Sequence, residues 1–244
     1  MMSSPRKTSV ISLFVAGLLL WAAVVSAAPV ATVTHISGPL VVRKADGATR
    51  AIIIGSKIDE GDTVVTEKRT YARLKFNDGN EITLKPNSLF KVETYTYDQA
   101  QPKNDSATFN LIKGGLRTIT GQIGKRGNQD SYQMKTPSAT IGIRGTIYDA
   151  HFCQTDSCGS IEPGLYLAVS NGSVVITNSD GNKTTLLVKA GQFVYVKNPV
   201  TPPVVLPARP EIPFNPPPSV GSSAAGKTGG KQDAASAAAD CQIR

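Results

Sequence analysis

Short runs of Val, Ile, Thr, Tyr and Phe alternate with polar residues along the stretch from Ala28 to about Asn198. Gly, Asn, Asp and Pro separate these runs, and no stretch shows the 3.6-residue period of an amphipathic helix. Closely spaced β-type runs with turn residues between them are typical of antiparallel all-β folds. The pattern predicts a single many-stranded antiparallel β domain, arranged as a sandwich, a roll or an irregular β-coil.

One predicted hairpin surrounds the sequence Asn77-Asp78-Gly79-Asn80. Apolar residues alternate with polar ones up to Phe76, and the alternation resumes at Ile82. A two-residue turn would place Phe76 opposite a glutamate, so the pattern favours a longer loop of three or five residues. We expect Phe76 to face Ile82 and Leu74 to face Leu84.

A second predicted hairpin covers the stretch from Leu165 to Ile176. Its Asn171-Gly172 pair is typical of a type I′ turn, which needs two positive φ angles. This turn would pair Val169 with Val174 and Leu167 with Ile176.

The N-terminus has the layout of a secretory signal peptide. Basic residues precede an apolar run from Val10 to Val25, and small residues follow it up to Ala28. We predict a signal peptide over residues 1–27 and cleavage after Ala27, without a lipoprotein anchor. An uncleaved membrane anchor is the alternative, although the apolar run is shorter than the roughly 20 residues that span a bilayer. Both alternatives place the remaining chain outside the cytoplasm.

The composition changes after Asn198. Nine prolines lie within residues 199–218, and a Gly-, Ser- and Ala-rich stretch follows them. Proline fixes φ and removes a backbone donor, so the first part is expected to be an extended polyproline II spacer. We therefore predict the β domain over residues 28–198 and a disordered tail over residues 199–244.

The formal net charge is +8 at neutral pH, and four cations lie close together in the sequence: Lys113, Arg117, Lys125 and Arg126. They are candidate contacts for an anionic envelope polymer, although a solvated β surface is the favoured interpretation. A nucleic-acid site would need a denser basic stripe with interleaved aromatic residues. We predict neither nucleic acid as a partner nor a stable membrane span after cleavage.

Seven short motifs, in order along the chain, resemble those of the FecR domain, a periplasmic module named after an iron-citrate signalling regulator. The motifs lie at Ile58–Val64, Ala72–Gly79, Ile82–Ser88, Leu111–Gly115, Thr136–Thr146, Val169–Val174 and Ala190–Gln192. The resemblance extends from about Val33 to Val196.

The resemblance implies a stand-alone exported FecR-like module. FecR-type regulators carry a sigma-binding domain ahead of a membrane helix, whereas only about nine residues precede the apolar run here. We therefore do not expect the sigma-regulating role to be inherited. Modules of this class occur beside envelope sensors and cell-wall proteins.

Two cysteines five residues apart, Cys153 and Cys158, are predicted to form a disulfide in an oxidising compartment. One alternative is a free or solvent-facing cysteine pair. Another is a metal site formed by His151 and both cysteines, with Asp156 as a further candidate. That site needs a fourth ligand, and His35 is the other imidazole in the chain. The disulfide is the favoured interpretation, and we predict no metal and no cofactor.

A third cysteine, Cys241, lies in the predicted tail. It is a candidate for an intermolecular disulfide that would link two chains covalently. A reactive thiol and a residue without any role are the alternatives.

The segment Arg144-Gly145-Thr146 is the most characteristic part of the resemblance. We expect Arg144 to satisfy backbone carbonyls or a buried acid such as Asp149, and Gly145 to occupy a tight corner. A partner-binding role for the three residues is the alternative.

The sequence contains no motif that predicts catalysis. No nucleophile motif surrounds a serine, and the glycine-rich segment at Gly121–Gly127 follows neither phosphate-binding spacing. A non-enzymatic binding or scaffold module for an envelope protein or cell-wall polymer is the leading hypothesis. A periplasmic sensory component partnering a membrane-bound receptor is the second, and a polysaccharide hydrolase is the third.

Overall fold

The computed structural model describes residues 28–155, 158–212 and 214–220, and it confirms the predicted all-β fold. The predicted signal peptide, Asp156, Cys241 and the Gly-, Ser- and Ala-rich end of the chain lie outside these residues. Fifteen strands follow in chain order: β1 Ala31–Ile36, β2 Leu40–Arg43, β3 Thr49–Ala51, β4 Lys57–Ile58, β5 Thr63–Thr66, β6 Ala72–Phe76, β7 Glu81–Leu84, β8 Leu89–Thr96, β9 Ser106–Ile119, β10 Tyr132–Lys135, β11 Ala139–Cys153, β12 Gly164–Asn178, β13 Thr185–Lys189, β14 Phe193–Val196 and β15 Val204–Leu206. None of the described residues forms a helix long and apolar enough to cross a membrane.

All strands belong to one sheet. Its longest path runs β15-β14-β12-β11-β10-β9-β7-β6-β1-β4, and the remaining strands pair beside it. The pairing of β9 with β10 is parallel, while the other pairings are antiparallel. The predicted antiparallel architecture is therefore confirmed for most of the sheet.

Three long strands change partners along their length, and a glycine with positive φ lies at each change. Before Gly114, β9 pairs with β8, and beyond it β9 pairs with β7 and β11. Gly145 occupies the equivalent place in β11, and Gly172 does so in β12. Because positive φ is accessible to glycine at little steric cost, these positions let the sheet bend around its core.

An aromatic cluster fills part of this core. The ring of Phe109 lies 4.9 Å from that of Phe76, 5.6 Å from that of Phe90 and 5.5 Å from that of Tyr132, measured between centroids. The alternating apolar positions of the sequence therefore point inward, as the pattern predicts.

The hairpin at Asn77-Asp78-Gly79 has the predicted longer loop, here of three residues, but the predicted pairing is wrong. Leu74 pairs with Ile82, and the Phe76 N–H donates to the Asn80 carbonyl at 2.8 Å. The Asp78 carboxylate stabilises this loop by accepting a hydrogen bond from the N–H of Asn80 at 3.0 Å. Both registers keep the apolar residues on one face, so alternation could not distinguish them.

The predicted hairpin at Asn171-Gly172 is wrong, because β12 runs through this position as one strand. Both halves of β12 pair with β11: Val169 lies opposite Tyr148 and Val174 opposite Ile143. The positive φ of Gly172, +71°, accommodates a bulge that matches the bend of β11 at Gly145.

Replacing Gly172 by alanine should destabilise the fold far more than replacing Gly191. Both residues have positive φ, which costs an alanine about 1 kcal/mol. A Cβ at Gly172 would overlap the Gly145 carbonyl oxygen, whereas a Cβ at Gly191 meets nothing within 4 Å. We expect about 3 kcal/mol of lost unfolding free energy for Gly172→Ala and about 1 kcal/mol for Gly191→Ala, measured by urea denaturation. Equal losses would contradict the close approach of the two strands.

The proline-rich part of the chain folds back onto the sheet instead of extending away as the predicted spacer. Its strand β15 pairs with the edge strand β14, with Val205 opposite Val194. Farther along, Val220 is completely buried. We call residues 204–212 and 214–220 the strap.

Candidate functional site

A row of facing residues crosses five neighbouring strands on one side of the sheet. Each residue is the registered partner of the next, so all five side chains lie on the same side: Arg73 of β6, Thr83 of β7, Arg117 of β9, Asp149 of β11 and Ala168 of β12. Their sequence neighbours point into the hydrophobic core. We call the side that carries this row the covered face.

A second row lies beside the first on the covered face. His151 of β11 faces Gly115 of β9 on one side and Tyr166 of β12 on the other. A Cβ at Gly115 would overlap the Nδ1 of His151 and lie 2.8 Å from the Cδ of Lys85. The missing side chain at Gly115 therefore creates the space in which His151 and Lys85 lie close together.

Asp149 is the electrostatic centre of the covered face. Arg117 donates to it twice, from Nε at 2.6 Å and from Nη2 at 2.8 Å. Arg209 of the strap donates to the same carboxylate at 3.1 Å. A bidentate guanidinium holds a carboxylate in a fixed orientation, so this pair keeps its geometry whether or not Arg209 is present.

The strap crosses the covered face from β14 to β6. After Arg209, the ring of Phe214 packs under the Arg117 guanidinium at 4.2 Å and against the ring of Tyr71 at 6.2 Å. At its far end the carbonyl of Val220 accepts a hydrogen bond from Arg73. The strap thus places a cation on Asp149, an aromatic ring on Arg117 and a carbonyl on Arg73.

A small cavity of about 30 Å³ lies between the strap and the covered face. Its lining includes Lys85, Asp149, His151 and Phe214. Burial lowers the pKa of Lys85 to about 8, although Asp149 acts in the opposite direction. Burial and then the charge of Lys85 lower the pKa of His151 to about 3. At neutral pH the cavity therefore contains a neutral imidazole beside a mostly protonated lysine.

Arg144 does not pair with Asp149, the buried acid offered as its possible partner, while its expected architectural role stays a prediction. Arg117 lies directly opposite Asp149, while Arg144 lies beyond the bulge of β11 with its nearest carboxylate, that of Asp130, 4.0 Å away. Gly145 has a φ of +67°, which fits the expected tight corner. Thr146 is buried, and its hydroxyl donates to the Ser173 carbonyl at 2.6 Å. Its N–H donates to the Thr120 hydroxyl at 2.8 Å.

The predicted disulfide between Cys153 and Cys158 is present. The Nε2 of His151 lies 3.1 Å from the Cys158 sulfur, and the three candidate ligand atoms all lie within 4.8 Å of one another. A disulfide leaves neither sulfur as a thiolate, so a metal could bind here only after reduction.

Removing the disulfide with Cys153→Ser and Cys158→Ser should lower the free energy of unfolding by about 2 kcal/mol. A cross-link over so short a loop removes only a small amount of chain entropy from the unfolded state. Thermal unfolding of the double variant beside the wild type would measure the loss, and an unchanged melting temperature would contradict it.

The four candidate polyanion contacts have separate surroundings. Arg117 is held by Asp149, Arg126 donates to Asp105 at 3.0 Å, and Lys125 donates to the Thr120 carbonyl at 2.6 Å. Lys113 lies in β9 opposite Leu89. Two of the four charges are thus paired with carboxylates inside the domain, and polyanion binding stays a prediction.

Sequence reasoning missed two features of this site region. The buried carboxylate of Asp78 accepts hydrogen bonds from Asn80, Tyr95 and Ile123, although its sequence indicated only a turn. The strap was also missed, because its proline content is typical of a spacer. Arg209 and Phe214, a cation and an aromatic residue in a proline-rich stretch, were the available signal.

Comparison with known proteins identifies the domain. Residues 62–175 match the family described as FecR protein. No curated protein matches the chain.

Three solved structures show partial likeness. A cell surface anchoring domain is 24% identical, with a TM-score of 0.25, over 25% of this chain and 82% of that domain. Two crystal structures of a proposed anti-sigma factor from Parabacteroides distasonis are 10% and 12% identical, with TM-scores of 0.42 and 0.44. The match covers 59% of this chain and 58% of each of theirs, and likeness at this level carries no functional argument. The family match over residues 62–175, which lie within the all-β fold, shows a FecR-like domain in this part of the chain.

Proposed function

We propose that this FecR-like domain is an exported, non-enzymatic binding module of the bacterial cell envelope that acts in periplasmic signalling. The observation that carries the proposal is the covered face. It combines a fixed Arg117–Asp149 pair with a buried guanidinium at Arg73, and a peptide segment lies across both. Surfaces with a few oriented polar groups among apolar side chains are typical of peptide recognition.

The chemistry of the face supports binding over hydrolysis. A glycosidase needs two carboxyl groups converging on one bond. Asp149 is the one carboxylate that lines the cavity within the described part of the chain, and Arg117 holds both of its oxygens. Both oxygens of this carboxylate are therefore already occupied by a guanidinium.

The family favours a signalling role over a purely structural one. FecR-type modules take their name from a signalling regulator, and the partner that we propose is a membrane-bound receptor or another envelope protein. The alternative to this signalling role is a scaffold role, in which the domain docks onto a cell-wall polymer.

Site-specific photo-crosslinking in living cells tests the proposal. A photoreactive amino acid at Tyr71, whose ring contacts Phe214 of the strap without belonging to the strap, should capture one discrete envelope protein. The same amino acid at Ile53, which is 74% exposed in the connection between β3 and β4, is the matched control. Recovery of the chain in the cytosolic fraction would contradict export, and identical captures at both positions would contradict a specific surface.

A further inference from the structure

We infer that the strap is an exchangeable internal ligand, and that the covered face binds an extended segment of a partner protein in its place. This inference rests on the proposed binding function and specifies the chemistry of the partner. The segment would add a strand to the edge of β14, place a basic side chain on Asp149 and lay an aromatic ring against Arg117.

The backbone of the strap makes few hydrogen bonds to the sheet between its two ends. Within its described residues, the N–H of Ile212 donates to Pro210 and that of Val220 to Pro217, both inside the strap. Prolines elsewhere in this stretch have no N–H to donate. The middle of the strap is therefore held by side chains, mainly those of Arg209 and Phe214.

These side-chain contacts are individually weak. The strap's Arg209 is 53% exposed, and exposed ion pairs contribute about 0–1 kcal/mol. The contact between Phe214 and Arg117 contributes on the order of 1 kcal/mol. Release of the middle of the strap therefore costs little free energy compared with unfolding of the sheet.

The strand that anchors the strap is short and partly exposed to solvent. β15 has three residues, and Val204 and Val205 are 53% and 45% exposed. Release of β15 would leave β14 as an unpaired edge, with β12 on its other side. An unpaired edge offers backbone groups to any extended segment that matches it.

The covered face beneath the strap is preorganised to bind such a segment. Arg117 keeps Asp149 oriented without help from the strap. Arg73 is only 4% exposed, its Nε has no partner among the described residues, and its bond to the Val220 carbonyl needs only a backbone oxygen. A replacement segment therefore needs an extended backbone, with a basic and an aromatic residue spaced as Arg209 and Phe214 are.

A peptide that copies the strap is the direct probe. We would measure binding of a labelled synthetic peptide with the sequence of residues 202–220 to the full chain by fluorescence anisotropy. The wild type should bind it weakly, because its own strap competes at a millimolar effective concentration. The full-length double variant Arg209→Ala/Phe214→Ala should bind it at least about tenfold more tightly. Equal affinities for wild type and double variant would overturn the inference.

Two further variants confine binding to the covered face. Adding Asp149→Ala to the double variant should weaken peptide binding by up to about fivefold, because the peptide's arginine then has no acceptor. Adding Phe193→Cys and Leu206→Cys, which face each other across β14 and β15, should lock the strap by a disulfide and abolish the gain in affinity. The double variant without the added cysteines, measured under the same redox conditions, controls for any effect of those conditions on the Cys153–Cys158 disulfide. Tight peptide binding by the locked protein would also overturn the inference.

Hydrogen exchange on the wild type provides a test without substitutions. The amides of β14 should exchange faster than those of the central strand β11, and excess peptide should slow them. Equal protection of both strands would oppose an exchangeable strap. None of these measurements needs the natural partner, so a failed crosslinking experiment and a failed peptide experiment remain distinguishable.

Discussion

Replacing Asp78 by alanine should lower the free energy of unfolding by about 4 kcal/mol, enough to leave much of the protein unfolded at 37 °C. The side chain of Asp78 is buried. One oxygen accepts hydrogen bonds from the Asn80 N–H and the Tyr95 hydroxyl, both at 3.0 Å, and the other accepts from the Ile123 N–H at 3.2 Å. Alanine would leave three donors without acceptors in the interior, and each orphaned donor costs about 1–3 kcal/mol.

The Tyr95 hydroxyl keeps the proton that it donates to the Asp78 carboxylate. Burial, and then the neighbouring charge of Asp78, raise the pKa of Tyr95 far above its usual range. The phenol therefore stays protonated at neutral pH and can donate to the Asp78 carboxylate.

Asp46 provides a matched control for this prediction. It accepts the N–H of Ala48, two residues ahead, at 2.9 Å, which is the same local turn that Asp78 makes with Asn80. Asp46 is exposed, so Asp46→Ala should cost less than about 1 kcal/mol. Urea denaturation of both variants compares the two sites, and similar losses would show that the buried network contributes little.

Local patterns predicted those parts of the molecule that depend on local chemistry. Alternation of apolar residues predicted the all-β fold, because side chains of an extended strand point to opposite faces wherever the strand pairs. The spacing of Cys153 and Cys158 predicted the disulfide, because five residues suffice to close the loop. The loop at Asn77-Asp78-Gly79 was also predicted as longer than two residues.

Features that depend on distant partners could not be predicted in this way. The Asp78 carboxylate accepts a hydrogen bond from the N–H of Ile123, 45 residues away, and no local pattern indicates that contact. Asn171-Gly172 has the composition of a turn, yet pairing of β12 along the length of β11 stabilises a bulge there instead.

The candidate site was the least predictable part. The row from Arg73 to Asp149 comes from four strands whose registry depends on the whole sheet. The strap has a composition typical of a spacer, and only its docked position shows what Arg209 and Phe214 contact. Proline content predicts an extended backbone and leaves open what that backbone lies against.

Acid should destabilise the wild type through His151, and His151→Gln should remove this part of the acid sensitivity. The imidazole lies under the strap, and within the described residues its Nδ1 has no hydrogen-bond partner. Burial, and then the positive charge of Lys85, lower the pKa of His151 to about 3 in the folded state. The ordinary histidine pKa is about 6.5 in an unfolded chain.

The sign of the effect follows from which state binds the proton. Below pH 6.5 the unfolded chain takes up a proton that the folded protein excludes, so the unfolding free energy falls with pH until the folded pKa is reached. The slope approaches about 1.4 kcal/mol per pH unit below pH 6, and the expected loss between pH 6.5 and pH 4.5 is about 2 kcal/mol. Above pH 6.5 His151 is neutral in both states and contributes no pH dependence.

Urea denaturation of wild type and His151→Gln at pH 7.5, 6.5, 5.5 and 4.5 would measure this contribution. Carboxylates such as Glu93, whose pKa is lowered through its bonds to Lys135 and Asn110 despite the opposing effect of burial, also respond to acid. They are common to both proteins and cancel in the difference between the two curves. Lys85→Met should leave the slope unchanged but end the loss at a higher pH, because it removes the second cause of the His151 pKa shift and keeps the burial. A constant difference between wild type and His151→Gln from pH 7.5 to 4.5 would mean that water reaches the imidazole and that the strap does not seal the cavity.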